Sequence, residues 1–179
     1  MHINSAMRFF LILIFLLAFS CCAPQETPKP SLKDVVRRKV VEMNNALVND
    51  DFATIVNLTH PKLVKMKGGR AKMIATMQSG TKEMTSQGIA FRSFKLDDPS
   101  DPVTAGSELF VVVPLLLEMT VPGGKLLQKT FVIGVSSDDG KTWTFVNGDL
   151  DVKKVKLVLT NLPEQLTLPE RQKPVFEKD

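Results

Sequence analysis

What this chain lacks narrows its chemistry. Its two cysteines are Cys21 and Cys22, so the 157 residues that follow contain none and cannot be stapled internally by a disulfide. There are two histidines, His2 and His60, and with no spaced cysteine pair they leave no ligand set for zinc. No nucleophile motif, metal-ligand cluster or phosphate-binding loop occurs, and nothing calls for a cofactor. The longest apolar run, residues 9–19, has eleven residues, too few to cross a bilayer that needs about 20. A basic stripe is absent too. Arg37-Arg38-Lys39 and Lys153-Lys154-Val155-Lys156 are the only cationic clusters, and they read as solvated helix faces. Arg8 is the one charged residue before Cys21, so the remainder carries a net charge of only +3, which argues against nucleic acid as a partner.

The N-terminus does carry a signal. Arg8 precedes the eleven-residue apolar run, which fits a secretory h-region, and the run stops at Ser20-Cys21-Cys22-Ala23-Pro24. Residues 1–20 therefore read as a signal peptide. Leu17-Ala18-Phe19-Ser20-Cys21 resembles a bacterial lipoprotein signal, in which the cysteine is lipidated and becomes the new N-terminus. Ordinary cleavage after Ala18-Phe19-Ser20 fits the same residues and would release a soluble secreted or periplasmic protein. With both cysteines confined to this junction, lipidation at Cys21 is the preferred reading, giving a membrane-anchored protein of the bacterial cell envelope. Residues 21–30 then form a tether, because the segment APQETPKP has three prolines and no apolar side chain larger than alanine.

From Ser31 the pattern is helical. Ser31-Leu32-Lys33-Asp34 reads as a capping box, and Val36, Val40, Met43 and Leu47 recur on one helical face. Asp50 or Asp51 can cap a second helix through Phe52, Ile55, Val56 and Thr59, with Pro61 just past its end. A third helix spans residues 70–87, after Gly68-Gly69. Met73, Met77 and Met84 share one face of it as core residues, and Gly88 follows as its stop. Near Ile89 the period shifts towards two. Strands are predicted at residues 89–96, 109–121, 126–135 and 143–146, separated by the loop 97–106 and by turns at Pro122-Gly123-Gly124 and Asp138-Asp139-Gly140-Lys141. Pro114 implies an edge position, a bulge or a bend. The fold class is thus α+β, with N-terminal helices packed on a curved antiparallel sheet.

Element order, Asp51-Phe52 opening a helix, and His60-Pro61 followed by Gly68-Gly69 together resemble the nuclear transport factor 2-like superfamily. Its cystatin-like cone is shared with ketosteroid isomerase and SnoaL-type cyclases. The resemblance covers residues 33–149 and implies a pocket inside the cone but no single function. The domain is bounded at 31–150, followed by a C-terminal helix and extended tail at 151–179. An isomerase-like mechanism would need a general base and an oxyanion donor deep in the cone. Family members often use tyrosine as the donor, and this chain has none. Glu108, Glu118, Asp149 and Asp151 are the available carboxylates. They read as surface groups, leaving His60 and Glu118 as the polar candidates for the pocket.

The most specific pattern is Ser136-x-Asp138-x-Gly140-x-Thr142-Trp143, which matches the Asp-box of sialidases and related propellers at every fixed position. A propeller repeats it over roughly 4–8 blades, so one copy excludes that architecture and leaves a stable hairpin. The functional reading is a non-catalytic envelope lipoprotein that binds a partner protein or a small apolar ligand. The alternative is an isomerase, dehydratase or cyclase using the same pocket. Residues 109–117 are apolar on both strand faces, so two covers are needed. The helices supply one. The other is the chain's own tail, through Val152, Val155, Leu159 and residues 162–169, or a second protomer in a homodimer.

Overall fold

In the computed structural model, residues 30–179 are described, apart from Asp149 and Asp151. The expected signal peptide, Cys21 and nearly all of the expected tether lie outside the described residues, as do the candidate carboxylates Asp149 and Asp151.

Ser31 opens helix α1 (Leu32–Val48) with a complete capping box: the Asp34 N–H donates to Ser31 Oγ at 3.2 Å and the Ser31 N–H to Asp34 Oδ2 at 3.1 Å. Asp51 caps α2 (Phe52–Leu58), accepting from the Thr54 N–H at 3.1 Å. Pro61 lies just past α2 and also starts α3 (Pro61–Met66), a helix not predicted from the sequence, where its missing N–H and fixed φ suit the first helical position. Gly68 and Gly69, at φ 88° and 90°, turn the chain into α4 (Arg70–Ser86), and Gly88 at φ 73° follows it.

Six strands form one antiparallel sheet: β1 (Ala90–Leu96), β2 (Val103–Ala105), β3 (Glu108–Val121), β4 (Gly124–Ser136), β5 (Thr144–Asn147) and β6 (Val175–Lys178). The β3–β4 hairpin is its spine, paired without a slip from Leu109↔Ser136 to Val121↔Gly124. β1 and β2 share the outer edge of β3, while β5 and β6 share that of β4. A register shift between Phe91 and Ser93 puts a bulge in β1 at Arg92, the kind of irregularity that bends a strand.

Two strands lie where none was predicted. β2 falls within the 97–106 loop, and β6 extends the fold well past Thr160. Pro114 sits in a central strand and is neither at the sheet edge nor at a bulge. Its carbonyl accepts from the Asp97 N–H at 3.0 Å in the gap between β1 and β2. In an antiparallel strand the N–H and C=O of one residue face the same side, so the proline's missing donor faces Asp97, just past the end of β1, and the β3–β4 ladder is not interrupted.

Two hydrophobic cores flank this sheet. On the helix side, Val36 and Val40 of α1 pack with Leu58, Val111, Val113, Leu115, Val132, Trp143 and Phe145. On the other side, Phe110, Val112, Phe131, Ile133, Val135 and Val146 pack with Val155 and Val158 of α5 (Val152–Val158), and with Leu159 and Leu166 beyond it. The tail therefore covers the second face of β3. The helix α4 departs from the sequence reading: Met73, Met77 and Met84 are half-buried, and α4 has no fully buried residue.

Candidate functional site

The Asp-box residues gather at the β4–β5 turn. Ser136, almost fully buried, accepts from the Gly140 N–H at 2.9 Å and donates to Asp138 Oδ1 at 2.8 Å. Asp138 accepts from the Thr142 N–H at 2.8 Å and from its hydroxyl at 2.7 Å. These donors, led by the two from Thr142 and followed by the one from Ser136, hold the Asp138 carboxyl down at about 2. Asp139 and Gly140 adopt φ 57° and 82°, and the buried Trp143 ring donates from Nε1 to the Gly140 carbonyl at 3.0 Å. The side chains of Ser136, Asp138, Thr142 and Trp143 all form hydrogen bonds within the turn.

His60 and Glu118 do not come together. His60 is the N-cap of α3, where Nδ1 accepts from the Lys62 N–H at 3.3 Å and the His60 backbone N–H donates to the Phe145 carbonyl at 2.9 Å. The imidazole faces a helix start, where a lone pair is wanted and a proton is not. Burial pushes its pKa below 6.5, against the opposing pull of Glu108. Glu118 lies at the sheet surface, accepting from Ser93 Oγ at 3.2 Å and 3.7 Å from Arg92 Nε. Glu108 accepts from Asn161 Nδ2 at 3.3 Å.

The site that the fold does build lies between the helices and the sheet. A cavity of about 220 Å³ is bounded by Met43, Asn44 and Leu47 of α1, by Ile55 of α2 and the following Thr59, and by Leu63 of α3. Met73 and Met77 of α4 close one side, and Leu115, Leu117, Thr130, Val132, Phe145 and Asn147 form the sheet wall. Neither His60 nor Glu118 is among these residues. Along β3, Leu115 and Leu117 face the cavity, so the alternation of the strand sends Glu118 to the opposite face. All fourteen described lining residues are uncharged. Thr59 is buried and donates from Oγ1 to the Ile55 carbonyl at 2.8 Å. Asn44 is 5% exposed, and its Nδ2 has no hydrogen-bond partner.

The sequence did hold a signal for Asn44. Val36, Val40 and Asn44 are spaced by four, so the amide lies on the stripe of α1 that is fully buried at Val36 and Val40. A second depression of about 300 Å³ lies under the tail, but its walls include Lys95, Asp97, Lys129, Glu170 and Arg171, and water and ions compete with any apolar ligand there.

Fold and cavity define a class: an α+β domain whose helices roof an uncharged pocket on one face of an antiparallel sheet. No family model matches the chain. No curated protein matches its sequence. Among solved structures it is similar to an M. tuberculosis LEH-like epoxide hydrolase at 18% identity, covering 74% of this chain and 95% of that one, with a TM-score of 0.31.

Proposed function

We propose that this chain is an exported binding protein with a nuclear transport factor 2-like domain, held to the bacterial envelope by lipid on Cys21. Its helix-side cavity takes up a small, predominantly apolar molecule and leaves it chemically unchanged. The observation that carries this is the cavity lining: ten apolar side chains and four neutral polar ones, Asn44, Thr59, Thr130 and Asn147. General acid–base or nucleophilic catalysis needs a group that can hold or release a proton near neutral pH, and none of these fourteen can. Burial of apolar surface supplies affinity instead, at about 25 cal/mol per Å².

The test is a titration of the full chain with cumene, followed by methyl NMR. Saturable shifts at the Met43, Met73 and Met77 methyls are expected. A spectrum unchanged up to the solubility limit of cumene would overturn the reading.

A further inference from the structure

The geometry points to a ligand that carries one neutral carbonyl acceptor and presents it to Asn44. This rests on the reading of the cavity as a binding site and adds the chemistry of the molecule it holds. Asn44 is 5% exposed, borders the cavity, and has an Nδ2 with no partner. A buried donor left unsatisfied forfeits its hydration and gains nothing in return, which is why such groups are rare in folded proteins. On the stripe it occupies, four residues beyond Val40, an aliphatic side chain would pack without that loss. A ligand acceptor in the cavity supplies the missing bond.

Three features narrow the class. Among the described residues the lining has no Lys, Arg or His to balance an anion, so a carboxylate or phosphate would be desolvated without a counter-charge. A hydroxyl would bring a donor of its own to satisfy, whereas a ketone, ester or amide oxygen answers a lone donor directly. The size is bounded as well. An apolar cavity of ~150 Å³ accommodates benzene, so in proportion about 220 Å³ holds roughly nine non-hydrogen atoms. The ligand is thus a compact hydrocarbon body with a single carbonyl.

Acetophenone and cumene are matched in size and shape and differ by one oxygen in place of a methyl group. Both are titrated into the full chain and into Asn44→Leu. The ratio of the acetophenone Kd to the cumene Kd is expected to rise about fivefold or more in the variant, as a lost hydrogen bond to a buried donor predicts. In the unsubstituted chain the Asn44 side-chain amide protons should shift downfield with acetophenone and stay in place with cumene. This second measurement decides the matter even where Asn44→Leu fails to fold. Cumene binding with an unchanged Kd ratio, or with Asn44 amide protons indifferent to acetophenone, overturns the inference and leaves the apolar pocket standing. Failure of both compounds to bind overturns the pocket and the inference together.

Discussion

At the scale of single residues, the β4–β5 turn gathers side-chain hydrogen bonds from Ser136, Asp138, Thr142 and Trp143. Trp143 is 4% exposed, and its ring lies against the sheet at Gly134, where an added Cβ would stand 3.2 Å from the indole. Trp143→Ala is therefore expected to cost about 3–5 kcal/mol in a denaturant melt, the range for a buried large ring. Asp138 adds a pH signature. Its carboxyl is held at about 2 in the fold against 3.8 for the free group, so its stabilising effect is complete above pH 4 and disappears as pH falls towards 2. Melting temperature should drop through that window, and Asp138→Asn, which cannot titrate, should flatten the drop. His60 acts the same way at higher pH. With its pKa lowered by burial, the unfolded chain takes up the proton first, and stability declines as pH falls below 6.5.

At the scale of elements, the tail is the part whose removal should be most damaging. Val155, Val158, Leu159 and Leu166 complete the core on the face of β3 away from the helices, and β6 pairs with the start of β4. Leu159→Ala is expected to lower stability by about 2–5 kcal/mol. A chain ending at residue 150 should aggregate or melt at a markedly lower temperature, and an equally stable soluble product would show that the tail is dispensable.

Which elements were legible follows from how each is specified. The period change near Ile89 and the turn residues mark α1, α4 and the β3–β4 hairpin because local pattern alone fixes them. α3 stayed hidden because Pro61 serves equally to end one helix or begin another. β2 and β6 are three and four residues long, in loop-rich and charged surroundings, and exist only because β3 and β4 offer free edges. The cavity was illegible for a similar reason. It depends on how α1 and α4 sit over the sheet, and the polar candidates chosen from sequence, His60 and Glu118, lie outside its lining.

At the scale of the molecule, the described domain buries both faces of its apolar central strand within one chain, so a second protomer is not needed to hide it. The proposed lipid anchor at Cys21 is tested separately. Cells fed a clickable fatty acid should yield a labelled, membrane-bound protein. Cys21→Ala should abolish the label, and label persisting in that variant would refute the anchor. Each side of the sheet combines a filled core with a depression, an uncharged cavity under the helices and a charged one under the tail. Val36, Val40, Val111 and Val113 on the helix side and Ile133, Val146 and Val155 on the tail side are at most 1% exposed, while Leu117 and Thr130 border open space. A substitution at Leu117 therefore alters the cavity wall while these wholly buried side chains stay in place, so the pocket can vary while the fold persists.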